Sequence, residues 1–249
     1  MTEIENIEKA KEIFFSEKME ERLNEMYGKI PEGHCSGCGN CCNESVPTFF
    51  AEFLNIVNYL AQNPKVMEDR LPAVYEHYFL ELAEKRPCPF LGEDKRCSIY
   101  PVRPLTCRVF GHVEKDQYEK NYNEILESNI EAGEYYSEAY GLDIPDEIIR
   151  SKIAFCETFR SETAFAQEQK DEIVNGLFML DSKFLMDEII FDDMINIGLT
   201  SWFLYLNFEE EELGELRIEI SKGYQKNKKS NILDNILESL NKSIYSVGQ

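Results

Sequence analysis

The stretch GHCSGCGNCC, residues 33–42, places four cysteines within eight positions of this 249-residue chain. A Cys-x-x-Cys step brings two sulfurs near enough to share one metal ion, and a third cysteine at the same step can close another corner of the site. Cys41 and Cys42 are adjacent, so we expect their side chains to leave the backbone in different directions. Either one of these two cysteines is a spare, or two metal centres share this loop.

Four more cysteines follow this run: Cys88, Cys97, Cys107 and Cys156. Eight thiols divide into two sets of four, and one tetrahedral zinc site or one cubane iron–sulfur cluster uses four. Cys156 is the least certain member. Helical spacing over residues 146–161 places it on one face with Ile149 and Ile153, which by itself indicates a buried core cysteine. The ligand count favours metal binding instead.

The spacing favours an iron–sulfur cluster over zinc as the cofactor. Ferredoxin-type runs repeat two-residue intervals and take a last ligand from elsewhere, whereas zinc ribbons use two separated Cys-x-x-Cys pairs. The chain has one dense run followed by single cysteines. Zinc is the alternative. A disulfide framework is disfavoured, since no secretory signal precedes the cysteines, and buried free thiols at this density are equally unexpected.

The charge balance excludes several classes of partner. The chain carries 26 Lys and Arg against 47 Asp and Glu, a formal net charge of −21. Such a surface repels phosphate, which argues against nucleic acid and against an anionic membrane as partners. Because the sequence shows neither a signal-peptide pattern nor a bilayer-spanning segment, we expect a soluble cytoplasmic protein. Its partner would be another protein or a small-molecule substrate.

Residues 85–112 are a local exception, with six basic and two acidic side chains. Arg103 and Arg108 flank Cys107. Four thiolates around Zn²⁺ or an oxidised 4Fe–4S core leave a net charge of about −2, which these arginines could offset, or they could donate hydrogen bonds to sulfur. We therefore predict that both help to bind the cofactor; pairing with carboxylates elsewhere is the alternative. His34 and His112 are possible fourth ligands, although second-layer hydrogen bonding is the commoner role.

Helical periodicity dominates outside the cysteines, and strict alternation is absent, so the sequence predicts a mainly α protein with little or no sheet. We expect an irregular, loop-rich cysteine module packed against helices, with a C-terminal helical extension. The division is an N-terminal helix (1–29), the cysteine module (30–112) and an acidic helical region that contributes Cys156 (113–249). Predicted helices cover residues 3–28, 48–62, 72–85, 115–140, 146–161, 166–190, 191–208, 209–222 and 230–245.

Three blocks in order identify a family resemblance: CSGCGNCC (35–42), CPFL (88–91) and CSIYPVRPLTCRVF (97–110). They resemble the YkgJ-type cysteine-cluster (CxxCxxCC) family, described as a zinc- or iron-chelating domain, over about residues 33–112. Members typically carry an eighth cysteine followed closely by an arginine, and Cys156 with Arg160 is similar to that pattern. The resemblance implies eight candidate metal ligands: Cys35, Cys38, Cys41, Cys42, Cys88, Cys97, Cys107 and Cys156.

The function predicted from these features is metal binding, most simply through an iron–sulfur centre with a redox, sensing or metal-handling role. Some larger members of the family are flagellin lysine methylases, so the resemblance supports, as an alternative, a protein-modifying, methyltransferase-like enzyme that uses the metal centre. A protein whose zinc only holds the fold for an interaction partner is the third hypothesis. A pocket beside the metal would favour an enzyme, and a closed four-thiolate site would favour the structural role.

Overall fold

Helices dominate the structure, which confirms the mainly α prediction. A computed structural model describes residues 3–190 and 197–247, and eleven α-helices lie within that part of the chain. They are α1 (Glu3–Ser16), α2 (Met19–Tyr27), α3 (Phe50–Gln62), α4 (Pro64–Leu80), α5 (Leu105–Val109), α6 (Lys115–Tyr140), α7 (Asp146–Ile149), α8 (Gln167–Met186), α9 (Leu199–Tyr205), α10 (Glu210–Asn227) and α11 (Asn231–Val247). Short 3-10 turns at Tyr100–Val102 and Phe110–His112 flank α5.

The cysteine module is irregular because glycine and proline interrupt it. Its first loop turns through Gly37 (φ 66°) and Gly39 (φ 74°), in the left-handed region that glycine tolerates best. Two short strands, β1 (Gly33–His34) and β2 (Arg160–Ser161), pair antiparallel, with Gly33 opposite Ser161 and His34 opposite Arg160. This small sheet ties the module to a segment far along the chain.

The predicted single helix over residues 3–28 is wrong. The chain forms α1 and α2, separated at Lys18, which takes a left-handed conformation (φ 50°). The break allows both helices to bury an apolar face: Phe14 of α1, and Met19 and Leu23 of α2, are almost fully buried. Burial of large side chains outweighs the modest strain of one left-handed residue.

The predicted helix over 146–161 is also wrong beyond its first turn. The helix ends at Ile149, and the chain continues without helix through Cys156 to β2. Phe159 inserts its ring where a Cβ on Gly33 or Gly111 would clash, at 2.1 and 2.4 Å. These tertiary contacts pull the segment away from the helix that its periodicity predicts. Residues 191–196 of the predicted helix 191–208 lie outside the described residues, and α9 begins at Leu199.

Aromatic packing around α3 fixes the segment that follows the first cysteine run. Phe50 and Phe53 of α3 pack against Trp202, with ring centroids 4.8 and 5.9 Å away. The Trp202 indole N–H donates to the Thr48 carbonyl at 2.9 Å. Asp181 of α8 is buried and accepts from the backbone N–H groups of Phe50 (2.8 Å) and residue 51 (2.9 Å), which satisfies free donors at the start of α3. The start of α3 is thereby held in one position relative to α8 and α9.

Candidate metal centre

Four thiols from separate parts of the module form what we call the inner thiol group: Cys41, Cys88, Cys97 and Cys107. The Cys88 N–H donates to the Cys42 carbonyl at 3.0 Å, which joins the first loop to the second block. An isolated bridge between Leu91 and Cys97 folds the second loop back on itself. Cys107 lies on α5, whose first turn is closed by its N–H bonding to the Pro104 carbonyl at 3.0 Å.

The charges of the inner thiols affect one another's pKa values. Burial, reinforced by the charges of Cys97 and Cys41, raises the pKa of the Cys88 thiol to about 12. Burial and the charges of Cys88, Cys97 and Cys41 likewise raise the pKa of Cys107. Each residue is partly exposed as a whole, but these sulfurs are largely desolvated. Burial therefore disfavours the thiolate forms of Cys88, Cys97 and Cys107 unless a cation compensates their charge.

This donor set fits a thiolate-bound metal. Thiolates are the ligands that zinc and iron–sulfur clusters prefer, and a coordinating metal supplies the positive charge that the region otherwise lacks. Among residues 3–190 and 197–247, no three Cys, His, Asp or Glu side chains already stand in a metal-binding arrangement. The thiols of the inner group therefore interact through their charges, but they do not form a complete set of metal ligands in this structure.

Cys35, Cys38 and Cys156 make up what we call the outer thiol group. The strand pair β1–β2 and a 2.9 Å hydrogen bond between the Ser36 and Thr158 hydroxyls bring the Cys156 segment beside the first loop. The Cys156 sulfur lies 3.9 Å from the same Thr158 hydroxyl. Cys156 is therefore a partly exposed residue in a loop next to the module, and the core position expected from helical spacing is wrong.

Cys42 connects the two groups. The Cys42 thiol is the largest cause of the raised pKa of Cys41, followed by burial. The divergence expected for these adjacent side chains stays a prediction. The loop turns tightly here, because the Cys42 N–H donates to the Gly39 carbonyl at 3.0 Å.

Arg103 and Arg108 have different surroundings. The charge of Arg103 reaches Cys41, Cys97 and Cys107 and opposes the rise in the pKa of each thiol, as expected for a residue that offsets thiolate charge. Arg108 donates from Nε to the Arg103 carbonyl at 2.8 Å and from Nη2 to the Pro101 carbonyl at 2.6 Å. Its identified hydrogen bonds are thus to backbone oxygens, and it positions the loop that precedes Cys107.

Glu52 supports the site, and the sequence analysis missed it. This carboxylate, only 1% exposed, accepts from the Tyr27 hydroxyl, the Leu105 N–H (2.6 Å) and the Phe49 N–H (3.1 Å). It therefore connects α2 and α3 to the first residue of α5, the helix that carries Cys107. Burial raises the pKa of Glu52, and the Tyr27 hydrogen bond opposes that rise. The available signal was a lone acid inside the apolar run FFAEFL (49–54).

Comparison with known families identifies the module. The family model "CxxCxxCC: Putative zinc- or iron-chelating domain" matches residues 34–125. This segment is similar to a CxxCxxCC domain. No curated protein and no solved structure matches the chain. The match confirms the resemblance read from the three cysteine blocks and supports metal binding. It extends into α6, and it ends before Cys156.

The two histidines of the cysteine module differ in their contacts. His34 is exposed on β1, opposite Arg160. The His112 ring packs against Phe159 and Phe165, with centroids 4.7 and 5.3 Å away. Aromatic packing accounts for the position of His112, and ligation by either histidine stays a prediction. In the described part of the chain, no helix is long and apolar enough to span a membrane.

Proposed function

We propose that the inner thiol group binds a metal as four thiolates, and that this metal is the iron of an iron–sulfur cluster. The observation that carries the proposal is the match of residues 34–125 to a zinc- or iron-chelating domain. Backbone contacts also join the loop of Cys41 to Cys88 and fold Cys97 back on Leu91. The spacing of the ligands favours iron–sulfur over zinc, since one dense cysteine run is followed by remote single ligands. Zinc is the alternative metal for the same four sulfurs.

We further propose that Cys42 joins the outer thiol group to complete a second set of four. The β1–β2 pairing and the Ser36–Thr158 hydrogen bond support this grouping, because they bring Cys156 to the loop that carries Cys35 and Cys38. Because Cys41 and Cys42 are adjacent in the chain, the two sets would then lie side by side. Adjacent cysteines can serve neighbouring centres when each binds a different one.

The role that this arrangement supports best is redox, sensing or metal handling. An iron–sulfur cluster, when bound, supplies one-electron chemistry. The chain contributes four sulfurs, the counter-charge of Arg103 and a partly exposed cysteine loop through which a partner protein or a small molecule can approach. A protein-modifying enzyme is the second candidate, favoured by one observation: a cleft lined by Arg103 and Arg108 opens beside the helix that carries Cys107.

Anaerobic purification followed by metal analysis tests the proposal. We expect brown protein with broad absorption at about 400 nm, as for iron–sulfur clusters. Acid-labile sulfide should be present in proportion to iron. Cys88→Ser should remove the inner centre and Cys156→Ser the outer one, each leaving part of the metal. Ser98→Ala, a hydroxyl deletion beside Cys97, is the control and should keep the full content.

Two outcomes would contradict it. Colourless protein that holds stoichiometric zinc and cannot be reconstituted with iron and sulfide would overturn the iron–sulfur assignment. Full metal content in Cys88→Ser would show that the inner thiol group does not bind the metal.

A further inference from the structure

A cleft of about 280 Å³ lies next to the inner thiol group, between the end of α2, the first loop of the module and α5. Cationic, aromatic and small residues line it: Tyr27, Ile30, Pro31, Glu32, Gly33, Arg103, Arg108, His112 and Phe159. Its volume is at the lower end of small-molecule sites, which suits one functional group or a compact ligand.

Two arginines of the cleft have no carboxylate partner. Neither Arg103 nor Arg108 makes an ion pair within the described residues, whereas Arg22, Arg86 and Arg217 each contact a glutamate. The Arg103 Nε is buried and has no hydrogen-bond partner. Arg70, Arg96 and Arg160 likewise make no ion pair within the described residues, so the distinguishing feature of Arg103 and Arg108 is that both line one cleft. Arg103 also acts on the thiols of Cys41, Cys97 and Cys107, so a ligand in the cleft would share the charge of Arg103 with them and would also face the charge of Arg108.

The nearby acids do not neutralise this charge. Glu52 already accepts three hydrogen bonds, although its charge reaches Arg108. Glu32, the acid in the lining, is exposed, so water screens it. Both guanidinium groups lie over aromatic rings, Arg103 4.2 Å from the centre of the Tyr100 ring and Arg108 4.1 Å from that of Tyr27. The rings orient the arginines without removing their charge.

The wall opposite the arginines is tightly packed. The Phe159 ring occupies the space over Gly33 and Gly111 that a methyl group would fill, and it packs against the His112 ring. Packing of this kind holds the aromatic wall in place, so the cleft is a formed feature of the fold. A ligand would enter a site whose shape already exists, which lowers the cost of binding.

We propose that this cleft binds the oxyanion group of a small molecule, a carboxylate or a phosphate, through Arg103 and Arg108. The planar guanidinium presents donors that match both oxyanions. The proposal goes beyond metal binding, because it assigns a separate ligand site. An anion held there would lie beside the helix that carries Cys107.

Calorimetric titration of the full-length metal-bound protein tests the site, with sodium phosphate in one arm and sodium acetate in the other at constant ionic strength. We expect saturable binding of at least one probe, and the tighter arm identifies the oxyanion class. Arg103→Gln should weaken binding at least about 10-fold, the loss expected for one charge-assisted hydrogen bond. Arg96→Gln, which removes an exposed arginine of the same module, should change it less than about twofold.

A second variant keeps the test decisive if Arg103→Gln folds poorly. Pro31→Glu places a carboxylate in the lining and leaves both arginines and all cysteines intact, so it should abolish binding of either probe. No saturable binding of either probe by the wild-type protein, or equal losses in Arg96→Gln and Arg103→Gln, would overturn the proposal. Metal content, measured on the same samples, separates this result from failure of the metal-binding proposal.

Discussion

The hydroxyl of Tyr27 offers the sharpest test of how the fold supports the metal site. Tyr27→Phe removes one oxygen and keeps the ring that Arg108 lies over. The buried Glu52 carboxylate then loses one of three donors and retains the N–H groups of Leu105 and Phe49. A hydrogen bond to a charged group contributes about 1.5–3 kcal/mol, so we expect the free energy of unfolding to fall by about that amount.

Tyr100→Phe is the matched control. Tyr100 also has an arginine over its ring, at 4.2 Å, but its side chain is 47% exposed and no buried carboxylate accepts from it. Its loss should cost less than about 0.5 kcal/mol, as for most exposed positions. Both variants keep an aromatic ring under an arginine. Only Tyr27→Phe removes a donor from a buried carboxylate.

Urea denaturation followed by the fluorescence of Trp202 measures both variants. This single tryptophan is buried and stacks on Phe53, the neighbour of Glu52, so it reports on the region that changes. Metal retention in a chelator competition should fall in Tyr27→Phe as well, because Glu52 also holds the first N–H of the helix that carries Cys107. A loss below 0.5 kcal/mol in Tyr27→Phe, or an equal loss in Tyr100→Phe, would refute the reasoning.

Three further predictions follow from other residues. Burial raises the pKa of Asp181 to about 7, above its ordinary value of 3.8. The protonated carboxyl therefore stabilises the fold fully below pH 3.8. This stabilisation, at most about 4 kcal/mol, is lost as the pH rises through 7. Urea titrations across this range should show that decline. Asp181→Asn should reduce it to the part that the buried Glu52 contributes, whereas the exposed Asp171→Asn should leave it unchanged. Cys156→Ser and Cys156→Ala should lose the same share of metal, because a ligand is lost in both; full metal content in either would make Cys156 a bystander. Arg108→Ala should leave the helical circular dichroism unchanged and speed metal loss to a chelator by about 10–100-fold, through release of the loop before Cys107; unchanged kinetics would restrict Arg108 to the cleft.

Local sequence was enough where structure depends on near neighbours. The predicted helix over 115–140 coincides with α6, because no proline interrupts the run and Gly141 ends it in the left-handed conformation (φ 61°) that favours glycine. The three cysteine blocks were equally informative, since metal ligands need particular side chains at particular intervals. Those blocks identified the domain that the family match confirms over residues 34–125.

Long-range contacts decided the features that the sequence analysis missed or got wrong. Helical periodicity over 146–161 predicted one helix, but the helix ends at Ile149. The rest of the segment leaves the helical path because Phe159 packs over Gly33 and Gly111 and because β2 pairs with β1. The burial of Glu52 depends on Tyr27 and Leu105, residues 25 and 53 positions away. A local pattern carries no information on which distant residues will meet.

The sequence by itself determined that the protein is mainly helical, that one segment resembles a CxxCxxCC domain and that eight thiols are its candidate ligands. Only the tertiary structure decided that the segment of Cys156 is a loop beside the first cysteine run, that Glu52 supports the start of α5, and that Arg103 and Arg108 line a common cleft. The physical reason is distance along the chain. Periodicity and motif spacing act over a few residues, whereas these contacts arise from packing between segments tens of residues apart.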